Sequence, residues 1–497
     1  MICRVKRLFI IAVLLVSVLS VWAANPTRTG NKDFNNITLL NSVFEKLYQL
    51  EKNKKGKINI VHIGDSHVQA DFFTNSIRQT LQSRFGNGGY GFTFPYKLAK
   101  TNGTSSIRYS SDIVWESRRN IYPVTDVSIG LSGIGLYTNN SDFSIEINTS
   151  PEYSFNTIKV LYPTKDPLFE VSTTGGNILE ISQVEKEKLM QKKVSVPKSS
   201  QLKYKKHKVQ ARETLYRLSN VYKVSVDEIK KVNNLTSNTI KVGSEILIPI
   251  EDIVKESNKN KDIIVPKIET DSVKAQFSPV LPKNPAVEVK PYYTTFSLSE
   301  LSNQIILEPD EKHTAYNLSG IVIENDKPGV VYHAIGVNGT KVSDYNKYPL
   351  FFEQLPILEP DLLIISLGTN EAFGKWTTAY YMSQMRTFIN KVKAKNPNVV
   401  ILLMTPPPSL FKRKQPNTFV ADYSEALKGV KDCVVWDLLS KLGGAGAPQS
   451  LSLSPLMARD KVHYTKAGYE MQGEYFSTDF LSAYDNYIKS KANWKQH

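Results

Sequence analysis

Ser66 stands in Val61-His62-Ile63-Gly64-Asp65-Ser66-His67, an apolar run that ends in Gly-Asp-Ser just before a helix-like segment. A serine at the end of a buried strand is carried on rigid backbone with its hydroxyl facing solvent. That hydroxyl is a poor nucleophile until a base takes its proton. Asp460-Lys461-Val462-His463 can supply the base. An aspartate three residues before a histidine, in a turn leading into a helix, can hold the imidazole in the tautomer whose other nitrogen faces the serine. Acyl transfer also needs donors aimed at the developing oxyanion. Gly339, in Gly336-Val337-Asn338-Gly339, can offer an unobstructed backbone N–H, Asn370, in Gly368-Thr369-Asn370-Glu371, a side-chain amide, and Ser66 its own N–H.

These pieces are far apart in sequence, so a fold must gather them. Residues 58–63 form a continuous apolar strand, and Phe73, Ile77 and Leu81 continue helically to the turn-rich Gly86-Asn87-Gly88-Gly89. Before that strand, Ile37, Leu40, Phe44 and Leu47 share one helical face over 34–50. From 330 onward, strands at 330–335, 362–367, 399–404 and 433–438 alternate with helices near 377–395 and 419–430. Phe476, Phe480 and Tyr484 suit a closing amphipathic helix. The alternation calls for a mostly parallel sheet covered by helices on both faces. In such a sheet the loops after the strands meet at one edge, and each candidate loop follows an apolar strand.

Other titratable groups near these blocks have plainer readings. His62, His67 and His333 are expected to be hydrogen-bonded near the sheet edge, since no metal-ligand spacing accompanies them. Asp65 has a structural role, and Glu371 either lines the pocket or is a solvated loop carboxylate. Cys3 lies in the basic start of the chain, which leaves Cys433, in an apolar setting, as a core thiol with no internal disulfide partner.

The first residues read as a secretory signal: Arg4, Lys6 and Arg7, an apolar run over 8–19, then Val21-Trp22-Ala23 as the cleavage site. The expected product is exported, to the periplasm or cell surface, with no transmembrane segment. The formal charge of +15 over 497 residues falls to +12 once those three cations are removed. An exported basic chain meets anionic wall or surface polymers rather than nucleic acid, for which no motif is present.

Between 100 and 180 the texture changes to alternating strands, such as Phe143, Ile145 and Ile147, and short strands return over 293–325. This reads as a separate β-rich domain interrupted by lysine-rich and proline-dotted linkers. Nested between the linkers, residues 204–250 show a strand, two helices and a strand, with Leu215, Leu218 and Tyr222 on one helical face and Val226 with Ile229 on another.

The four ordered blocks resemble the SGNH (GDSL-type) hydrolase family over roughly residues 35–95 and 326–497. The resemblance implies a three-layer α/β/α flavodoxin-like fold that needs no metal or other cofactor. It makes Ser66 the nucleophile, Gly339 and Asn370 the oxyanion donors, His463 the base and Asp460 its orienting partner. Gly-Asp-Ser-His at 64–67 and Gly-Thr-Asn-Glu-Ala at 368–372 replace the commoner GDSL and GxND. With a β domain inserted after the first helix, they are similar to peptidoglycan O-acetylesterases, whose inserted domain resembles a carbohydrate-binding module. Residues 204–250, with Asn233-Asn234 and the ending Gly243-Ser244-Glu245-Ile246-Leu247-Ile248-Pro249, resemble a LysM domain. By that resemblance its N-acetylglucosamine groove includes Glu213, Thr214, Asn234, Leu235 and Ile240; Arg212-Glu213 replaces the usual Gly-Asp.

The expected layout is thus a signal peptide (1–23), a hydrolase part (24–95), a β-rich sandwich part (96–182), a basic linker (183–203), LysM (204–250), a second linker (251–290), the rest of the β-rich domain (291–325) and the rest of the hydrolase (326–497). The expected activity is removal of O-acetyl groups from peptidoglycan or another N-acetylglucosamine-containing glycan. Two alternatives remain: an acetylesterase or O-acetyltransferase acting on another polysaccharide, and a non-catalytic wall-binding scaffold.

Overall fold

A computed structural model describes residues 33–172 and 286–494, and between them 203–209, 218, 222, 224, 226–233, 235 and 243–250. The expected leader therefore lies outside the described residues. The chain divides into two compact units, one formed by Met1–Gly176 with Ser278–His497 and the other by Asn177–Phe277.

The first unit is a mixed α/β fold. Its main sheet has six strands, in the order Phe34–Asn35, Val434–Trp436, Val400–Met404, Leu362–Ser366, Lys57–Gly64 and Gly329–Gly336. All neighbours are parallel except the first pair, where Phe34 faces Trp436 across an antiparallel edge. Residues 34–35 were expected at the start of a helix; they form this edge strand, and the helix runs Asn41–Asn53. Alternate strand residues serve opposite faces. Ile60, Tyr332, Ile364, Leu402 and Val434 join an apolar cluster with Phe44, Phe73, Ile77, Phe476 and Phe480, from the helices Asn41–Asn53, Phe72–Phe85 and Lys466–Trp494. Val61, Ile63, Ile335, Ile365 and Leu403 join another with Tyr381, Phe388 and Tyr423, from Thr378–Lys395 and Phe419–Lys428. Cys433 is buried in the second cluster.

Numbered along the chain, the five parallel strands run 2-1-3-4-5. Connections leave the first strand to one side and return past it to the other, which opens a crevice at its carboxyl end. Ser66 follows that first strand, Gly339 the second and Asn370 the third.

The β-rich segments form antiparallel sheets of five, four and three strands. Two expected boundaries move. Gly91–Thr93, expected on the hydrolase side, pairs with Gly320–Glu324, and Ala286–Lys290, expected as linker, pairs with Tyr293–Ser302. Nor do these sheets stand apart as expected, because Ile147, Ile158 and Ile305 share one continuous apolar cluster with Val61 and Ile335 of the main sheet.

In the second unit, Lys203–Lys208 pairs antiparallel with Glu245–Ile250, and the helix Val226–Val232 lies between them in sequence. Val209, Leu218, Ile229, Ile246 and Ile248 make its small core.

Candidate active site

The strand Lys57–Gly64 ends at Asp65, whose Oδ1 accepts the His67 N–H at 3.0 Å and so caps the short helix Ser66–Gln69. This sets Ser66 at the strand-helix joint. Gly336, at the end of the neighbouring strand, must be glycine, because a Cβ there would sit 2.4 Å from Gln69 N. The Ser66 hydroxyl lies 2.8 Å from His463 Nε2, and His463 Nδ1 lies 2.7 Å from Asp460 Oδ2. Asp460 Oδ1 also accepts the backbone N–H groups of Val462 and His463, at 2.9 and 3.0 Å. The Asp-x-x-His spacing thus closes its own turn. A carboxylate acceptor keeps the proton on Nδ1 and leaves Nε2 to accept from Ser66. Partial burial opposes ionisation of Asp460, but hydrogen bonds from the His463 ring and the two N–H groups outweigh it and hold the carboxyl down at about 2. Both side chains remain open to solvent, His463 at 40% and Asp460 at 50% exposure.

Gly339 is exposed in a turn at φ +83°, a conformation that favours glycine, and its N–H has no acceptor among the described residues. The Ser66 N–H is likewise without one. Asn370 opens the helix Thr369–Phe373 on the same side. Its amide donates to Thr340 O at 2.9 Å and, at the longer distance of 3.2 Å, to Asp65 Oδ2. Both amide hydrogens therefore already have protein acceptors.

Behind this front is a layer of buried polar groups. Burial pushes the Asp65 carboxyl up to about 7 and Glu371 up to about 8. Of the two readings of Glu371, the solvated carboxylate is excluded: the residue is fully buried, its Oε1 accepts the Val342 N–H at 2.7 Å, and its Oε2 has no partner among the described residues. His62 bridges Tyr332 OH and Ser366 Oγ, at 2.8 and 2.7 Å, and His333 accepts the Phe92 N–H at 3.0 Å. His67 bonds Tyr469 OH at 2.9 Å, with its ring 5.4 Å from that of His463. Burial pushes His62 and His67 each down to about 3, so both are neutral.

Sequence reasoning missed Gln69 and Asn338. Gln69 Oε1 accepts the Asn338 N–H at 2.6 Å, tying the helix that bears Ser66 to the turn that bears Gly339. The three-residue spacing from Ser66 to Gln69 was the available signal.

Residues 313–471 match the GDSL-like lipase/acylhydrolase family, a stretch that takes in Gly339, Asn370, Asp460 and His463. Residues 207–249 match the LysM domain. The chain carries a GDSL-like hydrolase domain and a LysM domain. The hydrolase domain makes it an SGNH-type esterase. A solved peptidoglycan O-acetylesterase aligns with 90% of this chain and 96% of its own, at 16% identity and a TM-score of 0.55, a likeness of fold. Smaller parts align with a lipase/acylhydrolase from Enterococcus faecalis (21% identity, 30% of this chain and 75% of that one, TM-score 0.25). A carbohydrate esterase family 3 protein from Talaromyces cellulolyticus behaves similarly (16% identity, 32% and 73%, TM-score 0.25). No curated protein sequence matches the chain.

In the LysM domain, Asn233 accepts the Leu247 N–H through Oδ1 and donates through Nδ2 to Leu247 O, each at 2.7 Å, which pins the helix to the second strand. Of the expected groove, Leu235 packs partly buried against the small core, with its N–H bonded to Lys230 O at 3.0 Å. Glu213, Thr214, Asn234 and Ile240 lie outside the described residues.

Proposed function

We propose that this chain is an exported serine esterase that removes O-acetyl groups from peptidoglycan. The observation that carries the reading is the chain of two short hydrogen bonds from Ser66 through His463 to Asp460. In the proposed reaction the Ser66 oxygen attacks the acetyl carbonyl while His463 Nε2 takes its proton. The N–H groups of Ser66 and Gly339, with the Asn370 amide, hold the oxyanion. Asn370 would turn its longer bond, now to Asp65, toward that charge. The imidazolium, stabilised by Asp460, then protonates the departing sugar oxygen; a water deprotonated by His463 next attacks the acetyl-serine, and acetate leaves as His463 returns the proton to the Ser66 oxygen.

Peptidoglycan is favoured as substrate because the hydrolase shares its chain with a LysM domain. We read LysM as a tether to N-acetylglucosamine-containing glycan that raises the local concentration of substrate, with the flanking linkers setting its reach. Wall association also fits the expected leader, and no helix among the described residues is long and apolar enough to cross a membrane. In this reading the hydrolase is built from the segments around 33–90 and 326–494. The β-rich part runs over 91–172 and 286–325, with LysM at 204–250.

The test is acetate release from O-acetylated peptidoglycan by the purified protein, beside Ser66→Ala and His463→Ala. Release that is lost in both variants supports the reading. Cleavage of chromogenic acetate esters without release from peptidoglycan would move the substrate to another acylated glycan, and silence on both would leave a binding scaffold.

A further inference from the structure

We propose that Arg119, on the strand Glu116–Arg119 of the β-rich region, is a positioning residue that aims the Gly339 N–H at the oxyanion. This rests on the reading of Gly339 as an oxyanion donor. It also gives the β-rich region a part in catalysis.

A trans peptide directs its carbonyl and its N–H to opposite sides. In the peptide joining Asn338 to Gly339, Arg119 Nη1 donates to the carbonyl at 3.1 Å, while the N–H has no acceptor among the described residues. Holding the carbonyl on one side therefore sets where the N–H points on the other.

Asn338 has other anchors: its N–H bonds Gln69, and its Nδ2 bonds Thr101 Oγ1 and Asn102 Oδ1 at 3.1 and 2.7 Å. Those bonds hold the residue but not the peptide plane that follows it. That plane can swing about Asn338 ψ and Gly339 φ, and Gly339 resists little. It is exposed, and even an added Cβ would meet nothing nearer than Ile121 Cδ1 at 3.9 Å. Among the described residues, Arg119 alone grips the plane.

Arg119 is suited to the task. It is half-buried, its Nη2 donates to Tyr122 OH at 3.1 Å, and its guanidinium lies 5.6 Å from the centre of the Tyr122 ring. No carboxylate pairs with it among the described residues, so its charge is not shared with an acid. A charged donor makes a hydrogen bond roughly twice as strong as a neutral one. Pulling on the carbonyl also polarises the N–H beyond it. The plainer alternative, a solvated arginine brushing a carbonyl, predicts no kinetic effect.

The experiment is steady-state kinetics on a chromogenic acetate ester with Arg119→Met, Arg119→Lys and Arg119→Ala, beside Asn370→Ala. Arg119→Met is expected to lower kcat about 10- to 100-fold, less than loss of a whole donor, with KM within about twofold and an unchanged melting midpoint. Arg119→Lys should recover part of kcat. Millimolar guanidinium should partly restore Arg119→Ala and leave the wild type unaffected. A kcat for Arg119→Met within twofold of wild type, while Asn370→Ala loses activity, would overturn the proposal and leave the donor reading standing. If Asn370→Ala also keeps full kcat, the reading of this edge as an oxyanion site fails, and the proposal with it. A loss in the Arg119 variants that neither lysine nor guanidinium relieves would mark a purely structural role and equally overturn the proposal.

Discussion

Asp460 and Glu371 are both carboxylates from the loops that carry the candidate site residues, and the protein pushes them in opposite directions. Asp460, half-open to solvent, collects three hydrogen bonds and is held at about 2. Glu371, fully buried, takes the Val342 N–H on one oxygen, leaves the other without a partner among the described residues and is pushed up to about 8. The histidines divide the same way: His463 stands in the wet front, while His67, ring against ring behind it, is buried and neutral. A perturbed ionisation is often taken to mark a working group. Here the raised carboxyls and the depressed histidines belong to the wall, and the proposed reaction runs where donors, rather than burial, fix charge.

The sharpest way to break this division is at the front. Ser66→Ala or His463→Ala should cost about 10⁶-fold in kcat on a chromogenic ester, as expected when a nucleophile-base pair acts as a unit. Asp460→Asn should cost up to about 10⁴-fold, because an amide facing Nδ1 permits the wrong tautomer. Asn370→Ala should cost about 10²- to 10³-fold in kcat with little change in KM.

The smallest effect is expected from the wall, and it should appear in stability rather than rate. The folded pKa of Glu371 lies above its unfolded value of 4.5, so the stability linked to its proton is full below pH 4.5 and drains away as pH rises toward about 8. Asp65 drains in the same direction, from 3.8 toward about 7. The melting midpoint of Glu371→Gln should therefore gain on that of wild type between pH 5 and 8 and then run parallel to it. A gap that stays constant across that range would mean that Glu371 is ionised in the folded protein, and the contrast with Asp460 would collapse.

What could be read from the sequence follows the range of each interaction. The Asp460–His463 turn was legible because its bonds span three positions. The parallel strands were legible because strands buried on both faces are continuous apolar runs. The pairing of Gly91–Thr93 with Gly320–Glu324 was not, since a strand of three residues carries no periodicity and its partner is distant. Arg119 escaped notice for the same reason: its contact with Asn338 crosses 219 positions, and nothing local sets one arginine apart from its neighbour Arg118. The donor that Glu371 finds in burial, the Val342 N–H, opens a helix 29 positions earlier.

The first parallel strand lies inside the main sheet, and both of its partners are encoded far downstream: His62 bonds Tyr332 across 270 positions. At about 5–20 residues per second of synthesis, that strand waits roughly 15–55 s with both edges bare. The sheet cannot begin from its own amino end, and a chain halted before the second strand presents an apolar ribbon with two open edges, the form most prone to pair with a stranger. Folding of this hydrolase is therefore deferred until its second half emerges, which makes protection of the nascent chain part of making the enzyme.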